Sequence, residues 1–463
     1  MTVAEYDVVV IGAGPAGETA AGRVADGGLT AAIVERELVG GECSYWGCIP
    51  SKTLLRPGDV IAAARRVPGA AEAVSGEVSA AAAFKQRDYM TSNWTDDGQL
   101  PWLTDRGIAL HRGVARLDGE RTVVVATADG ESRLTARLAV VLATGTSAAM
   151  PPIDGLAEAR PWDNRTVTEA SAVPRRLLVL GGGTVGAEMA QAYRRLGAAE
   201  VTVLEGGERL LAREEPFAGE EVRTSFEDEG IRVRTGAQVT AVHRDGAGAV
   251  TATLADGSSC VGDEILVAVG RRPRTADLGL DAVGLAPGHY VEVDDRLRAT
   301  GVAGGWLYAV GDCNGRALLT HMGKYQARIA GDVILGRPAK DEASTTMVTR
   351  VTFTDPQVCA VGLTEAQARE AYADVRVLRV GTGDVAGAYV LGNGIGGTSQ
   401  LVVDEARRVV IGATFTGPGM QELLHSASVA VAGAVPLDRL WHAVPSFPTV
   451  SEVWLRLLEQ YGL

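Results

Sequence analysis

Two segments of this chain share one pattern of apolar and polar positions. The first, "YDVVVIGAGPAGETAAGRVADGGLTAAIVER" (residues 6–36), is an apolar run, a Gly-rich turn, an Ala-rich stretch of helical spacing and a second apolar run. That order predicts strand, turn, helix, strand. It returns in "RRLLVLGGGTVGAEMAQAYRRLGAAEVTVLEGGER" (175–209). A further pair of stretches follows, residues 106–145 and 229–270, in which Asp-Gly turn signals separate alternating apolar runs. Each predicts a small β-meander returning to a buried strand that ends on glycine. The repeat spans roughly the first 270 residues.

Each strand-to-helix turn reads Gly-x-Gly-x-x-Gly: Gly12, Gly14 and Gly17 in one copy, Gly181, Gly183 and Gly186 in the other. Each second strand ends on an acid, Glu35 or Glu205. A bare Gly pattern is weak evidence. Here it follows a strand, opens a helix and meets its acid at the spacing of a dinucleotide site. Glycine lets backbone approach a pyrophosphate, the helix N-terminus supplies partial positive charge, and the acid receives a ribose hydroxyl. Two fingerprints predict two dinucleotides.

The rest reads more coarsely. Residues 53–90 are Ala-rich with helical spacing broken at Pro68 and Gly69, as packed scaffold helices would be. "WLYAVGDCNGRALLTHMGKYQARIAG" predicts a strand, a Gly-Asp turn and a helix with Thr320 as N-cap. Beyond residue 346, strands such as "RVVIGATFTG" mix with helices such as "LTEAQAREAYA". The fold class is α/β, with two Rossmann-like domains followed by an α+β domain. The boundaries expected are 1–152, 153–272, 273–345 and 346–463, since 463 residues exceed what one core serves.

Composition narrows the setting. A net charge of −13 argues against a broad nucleic-acid surface. No stretch holds 18 uninterrupted apolar residues, and the opening "MTVAEYDVVVIGAGPAG" lacks a basic segment followed by an apolar one, so the expectation is a cytoplasmic protein without membrane spans. Five cysteines, an odd number spread over a long chain, do not resemble a secreted disulfide framework.

Two of them, Cys43 and Cys48, fall in "GGECSYWGCIPSK" (40–52) just after the first fingerprint. They could be inert buried thiols, half of a zinc site, or a redox couple. Zinc needs two further ligands at local spacing, and neither the six scattered histidines nor a second Cys cluster supplies them, so no metal is expected. Cys260, Cys313 and Cys359 have no partner nearby in sequence and read as buried small thiols.

Taken in order, "GAGPAG", "GGECSYWGCIPSK", "LATG" (142–145), "GGGTVGAE", "GRRPRT" (270–275), "AVGDCNG" and "FPTVSE" resemble the flavoprotein disulfide reductases, the family of dihydrolipoamide dehydrogenase, glutathione reductase and mercuric reductase. The resemblance covers nearly the whole chain. It implies that the first fingerprint, with Glu35, Thr144 and Gly145, holds FAD, and that Gly311 and Asp312 close over it, Asp312 meeting the ribityl chain. It implies that the second fingerprint, with Glu205 and Gly270, holds NAD(P)H. Glu205 would repel a 2′-phosphate, which favours NADH, although Arg209 and Arg213 stand close enough in sequence to soften that preference. Cys43 and Cys48 would form a redox disulfide, Cys48 as the charge-transfer thiol beside the flavin and Cys43 as the interchange thiol. Lys52 and Glu188 match an ion pair near the flavin N5. The helix starting near Thr320 would aim its positive end at the flavin C2 carbonyl, with His321 matching a histidine of the dihydrolipoamide dehydrogenases. A helix start would also lower thiol pKa and keep thiolate available. The last domain would make a homodimer and complete the site across a two-fold axis.

One departure bears on substrate. Thiol-processing members read His-Pro-Thr-x-x-Glu near the C-terminus, and the histidine handles the proton of the interchange thiol. This chain places Phe447 there and keeps Pro448, Thr449 and Glu452. Phenylalanine accepts no proton, and such assistance is worth roughly 10²–10⁴-fold in rate. His442 would substitute only if its loop folds back. Mercuric reductases also lack the histidine but add a C-terminal cysteine pair, absent from "LLEQYGL". Tyr45 and Trp46 would either shape a flat apolar mouth or simply pack. The expected function is an FAD-dependent NAD(P)H oxidoreductase passing electrons through the cysteine pair to a disulfide or other small acceptor. The alternatives are a diaphorase-type quinone or metal-ion reductase working directly from reduced FAD, and a component that docks on a partner protein.

Overall fold

In the computed structural model, which describes residues 2–463, the chain falls into two units interleaved along the sequence. Unit one comprises the residues up to Pro50 together with Arg87–Ala149 and Gly270–Thr345; unit two comprises Ser51–Gln86, Met150–Val269 and Thr346–Leu463.

Unit one is built on a parallel sheet in which Ala109–Arg112, Ala31–Glu35, Thr2–Ile11, Gly130–Leu142 and Leu307–Ala309 stand side by side. Such a sheet is covered on both faces, which is why its strands read as unbroken apolar runs. Val8 and Val10 pack against helices Pro15–Asp26 and Thr320–Ile334, while Val9 and Ile11 face Leu117, Leu280 and Trp306. Burying each such valine contributes about 1.5–3 kcal/mol. The meander is present, with turns at Asp118-Gly119 and Asp129-Gly130. Its last strand is also a member of the parallel sheet: Gly130–Leu142 pairs antiparallel with Thr122–Thr127 through its first residues and parallel with Leu307–Ala309 through its last.

Unit two repeats the plan. Ile231–Arg234, Glu200–Leu204, Arg176–Leu180 and Glu264–Val267 form a parallel sheet in the same order, and Val239–Arg244, Val250–Leu254 and Ser259–Gly262 form the second meander as a separate antiparallel sheet. Its C-terminal part is a five-stranded antiparallel sheet, Thr349–Thr352, Gln357–Gly362, Val409–Gly417, Thr398–Asp404 and Val375–Gly381, packed against helices Met420–Ala432 and Val453–Tyr461. The α/β class with a C-terminal α+β domain is therefore as expected.

Within unit two, helix Thr184–Arg195 meets the helix Cys48–Arg65 at two points seven residues apart. Lys52 pairs with Glu188 at 2.6 Å and Asp59 with Arg195 at 3.0 Å. Residues seven apart lie on one helix face, so two ion pairs of opposite polarity fix the register of the helices. Arg195 also forks onto Glu229 and reaches Asp355.

Among the described residues no helix is long and apolar enough to cross a membrane. The N-cap of the helix Thr320–Ile334 is Leu319, which makes no side-chain cap bond. Thr320 is thus the first helical residue rather than the cap, because its hydroxyl is turned toward Cys48 instead.

Candidate functional site

The two fingerprints have nearly superimposable local chemistry. Gly12 has φ of 99° and Gly181 of 104°, a region open mainly to glycine. A Cβ on Gly17 would sit 1.9 Å from the Gly12 carbonyl oxygen, and one on Gly186 the same distance from that of Gly181, so any side chain there would push the helix off its strand. The middle glycines differ. A Cβ on Gly183 would meet nothing within 4 Å, and one on Gly14 nothing nearer than the Gly41 Cα at 3.9 Å. Each helix start is therefore open to a large group with its backbone N–H groups free for phosphate, which fits a dinucleotide at both places.

The acids tie each loop down. Glu35 accepts from the backbone N–H of Ala13 at 2.7 Å and of Glu37 at 2.8 Å; Glu205 accepts from Gly182 and Gly207, both at 2.6 Å. A carboxylate has about four acceptor positions, so each retains capacity for ribose hydroxyls. Arg209 is held away by the carbonyls of Ala212 and Glu214, and Arg213 is exposed. In unit one, Asp312 is half-buried; desolvation pushes its carboxyl upward, and it accepts from the Thr146 hydroxyl at 2.7 Å. Thr144 and Gly145 close the strand Gly130–Leu142 beside the buried Cys313 thiol, Gly311 precedes Asp312, and His321 is exposed on the first turn of its helix. Gly270, at φ of 143°, leads into the short strand Arg271–Pro273.

Cys43 lies in the one-turn helix Gly41–Tyr45, and Cys48 opens the helix Cys48–Arg65. Both are partly exposed. The Cys48 Sγ is 3.4 Å from the Thr320 Oγ1, so two long helices start at the sulfur pair. Cys43 departs from the expected lowered thiol pKa. Its ionisation is strongly opposed, first by the hydrogen bond with Cys48, then by burial and by charge on Cys48. Two adjacent sulfurs resist carrying two negative charges.

Tyr45 and Trp46 are buried, 2% and 8% exposed, and the Tyr45 hydroxyl donates to the carbonyls of Val39 and Thr95. They pack, and form no apolar mouth. Cys313 and Cys359 are buried as expected, whereas Cys260 is partly exposed with the Arg234 guanidinium 3.6 Å from its sulfur.

Glu42 was missed by sequence reading, although an acid directly before Cys43 is a visible signal. Its carboxylate meets Arg271 at 2.9 Å and Arg274 at 3.3 Å, both from "GRRPRT". In unit two, Glu188 is almost fully buried and accepts from Lys52 and from the Phe353 backbone N–H at 3.0 Å, and the Lys52 ammonium stands 4.9 Å from the Phe353 ring centre.

At the C-terminal motif, Phe447 is 77% exposed and Glu452 only 8%, and the Glu452 Oε2 has no hydrogen-bond partner. Both line a cavity of about 400 Å³ together with His442, Trp441 and Trp454. His442 is exposed and makes no bond to the Glu452 Oε2. Among the described residues no group of three or more His, Cys, Asp or Glu could hold a metal ion.

Comparison with known proteins matches residues 6–327 to the family described as pyridine nucleotide-disulphide oxidoreductase, and residues 348–457 to the dimerisation domain of that name. The chain is 34% identical to dihydrolipoyl dehydrogenase 3 of Pseudomonas aeruginosa over 456 residues, 96% of each chain. It is 30% identical to a mercuric reductase of Staphylococcus aureus over 453 residues, 97% of this chain and 81% of that one. Among solved structures, the Cu(II) complex of the HOCl-induced flavoprotein disulfide reductase RclA from Escherichia coli aligns with a TM-score of 0.86 at 26% identity, covering 98% of this chain and 99% of that one. LpdA from Mycobacterium tuberculosis aligns with a TM-score of 0.86 at 26% identity over the whole of both chains.

Proposed function

The chain belongs to the pyridine nucleotide-disulphide oxidoreductase family and is an FAD-dependent enzyme that uses a pyridine nucleotide, and from that premise we propose that it carries electrons from NADH through Cys43 and Cys48 to a disulfide or another small acceptor. The observation that carries this reading is the sulfur pair seated where the helices Cys48–Arg65 and Thr320–Ile334 begin.

FAD, when bound, accepts hydride from the nicotinamide and hands on two electrons. In this reading Gly12, Gly14, Gly17, Glu35, Thr144, Gly145, Gly311, Asp312 and His321 hold it. Gly181, Gly183, Gly186, Glu205 and Gly270 hold the pyridine nucleotide. NADH is preferred because Glu205 carries a negative charge where a 2′-phosphate would come, and Arg209 is committed to two backbone carbonyls. Cys48 is the thiol kept against the flavin and Cys43 the one that meets the acceptor. Glu188 holds the Lys52 ammonium in place through a buried ion pair. The dimerisation-domain match supports a homodimer, and we place it in the cytoplasm, since five cysteines spread over a long chain do not form a secreted disulfide framework.

Phe447 limits the acceptor. With no base at that position, efficient turnover of lipoamide or glutathione disulfide is not expected, and the acceptor is an atypical disulfide or a small oxidant. The test is an anaerobic titration of the oxidised enzyme with NADH, followed in the visible spectrum. A long-wavelength thiolate-to-flavin band after one reducing equivalent, lost in Cys48→Ser, is the expected result. Simple bleaching of the flavin in the wild type would overturn the reading.

A further inference from the structure

Cys43 sits in a helix of a single turn, too short to hold its own position, so its location is set by what anchors its neighbours. Tyr45 supplies one anchor through its hydroxyl. Glu42 supplies the other. Its two carboxylate oxygens take one guanidinium each, Arg271 on Oε1 and Arg274 on Oε2. Those arginines are themselves fixed. Arg271 donates through Nε to the Thr146 hydroxyl at 2.6 Å and through Nη2 to the Thr146 carbonyl at 3.1 Å, and Arg274 donates to the same carbonyl at 3.1 Å. The Thr146 hydroxyl in turn donates to Asp312, which stands eight residues before Thr320 and its contact with Cys48. A chain of charge-assisted bonds thus runs from beside Cys43, through Thr146, to the segment that meets Cys48.

We propose that Glu42 is a positioning residue for the redox pair: by clamping Arg271 and Arg274 it holds the Cys43 turn in register with Cys48 and so favours the disulfide over the dithiol. The inference rests on the reading of Cys43 and Cys48 as a redox couple. The side chains of Glu42, Arg271 and Arg274 are 19%, 24% and 20% exposed, so these are partly desolvated ion pairs rather than solvated surface contacts. Two thiols held together form a bond at smaller entropic cost, as in any preorganised pair. Removing Glu42 frees the turn, and that loss of positioning acts toward the reduced form.

The exchange is balanced with glutathione: the two thiols lose two electrons and two protons to become the Cys43–Cys48 disulfide, while one glutathione disulfide takes them up to give two glutathione thiols. The experiment equilibrates wild-type holoenzyme, Glu42→Gln and Glu42→Ala anaerobically in glutathione buffers of graded ratio, traps free thiols by alkylation, and measures the oxidised fraction of the Cys43–Cys48 peptide by mass spectrometry. The oxidation constant of Glu42→Ala is expected to fall at least fivefold, about 20 mV for a two-electron couple, with Glu42→Gln intermediate. A merely structural role would lower the melting temperature without moving this constant. If Glu42→Ala does not fold, Glu42→Gln, which keeps the shape and loses the charge, decides alone. Variants whose constants stay within twofold of wild type overturn the proposal for Glu42. A wild-type pair that never forms a disulfide in any buffer overturns the underlying reading as well.

Discussion

Arg195→Met is the substitution for which the structure yields the sharpest number. The guanidinium is only 13% exposed and serves three carboxylates: two bonds to Glu229 at 2.6 and 2.9 Å, one to Asp59 at 3.0 Å and one to Asp355 at 2.9 Å. Methionine keeps most of the stem but leaves three acids facing one another, with Arg66 the remaining cation on Asp355. Breaking a buried pair by removing one partner costs about 3–5 kcal/mol. The sign of the pH dependence follows from Asp59. Burial raises its carboxyl to about 6 even though Arg195 pulls the other way. A raised acid binds its proton more tightly when folded, so its contribution is present at low pH and is lost as pH climbs from its ordinary value toward 6, about 3 kcal/mol in all. Without Arg195 the folded value rises further, and the loss extends above pH 6. The deficit of the variant should therefore grow between pH 5.5 and pH 8. Thermal unfolding followed by circular dichroism is the assay. At roughly 2–4 °C per kcal/mol, a fall of roughly 6–20 °C is expected at pH 8, and a clearly smaller one at pH 5.5. Arg223→Met, which removes an exposed helix-surface pair with Glu220, should leave the transition unmoved. A shift below 2 °C at pH 8, or an equal shift at both pH values, would refute the reasoning.

Three further outcomes are expected. Gly17→Ala forces a methyl group to within 1.9 Å of the Gly12 carbonyl and should yield protein purified without flavin absorbance; normal flavin content would mean the turn yields more easily than its geometry implies. Glu205→Ala removes the charge opposed to a 2′-phosphate, so the kcat/KM ratio for NADPH over NADH should rise at least tenfold, roughly the 1.4 kcal/mol of one lost charge contact, and an unmoved ratio counts against Glu205 as the discriminator. Phe447→His restores a proton acceptor in the cavity wall that Glu452 shares, and lipoamide turnover should rise tenfold or more; no rise means that position 447 does not govern acceptor choice.

What the sequence made legible is what lies close together along it. The fingerprints could be read because glycines, helix start and acid fall within about thirty residues, and because the pattern occurs twice. Asp-Gly turns announced both meanders. They did not announce that Gly130–Leu142 serves a meander and the parallel sheet at once, since that depends on Leu307–Ala309 arriving from far downstream. Lys52 and Glu188, separated by 136 positions, were paired only through resemblance to a family, and nothing local joins Glu42 to Arg271 or Arg195 to Asp355. Thr320 shows the limit from the other side. A threonine before a helix is a sound cap signal, yet a sulfur 272 positions away claims its hydroxyl and leaves Leu319 at the cap.

The thiol environment carries the same lesson into function. A helix start lowers the pKa of one thiol, and that local rule is correct for an isolated cysteine. Here two sulfurs share the helix starts, and charge on Cys48 makes charge on Cys43 expensive. The reduced pair therefore resists carrying two negative charges at once. On the proposed reading Cys43 is the thiol that must attack the acceptor or bind it, so any proton it holds has to leave during turnover. In a chain with histidine at the C-terminal motif a base is provided for it; Phe447 provides none, and the Glu452 carboxylate beside it lies 8% exposed with one oxygen unpaired. On that reading the acceptors expected are those whose own reduction consumes a proton, or whose sulfur or metal binds thiolate strongly enough to displace it. The high barrier to a second ionisation and the missing base both select on the acceptor, and they select for the same property.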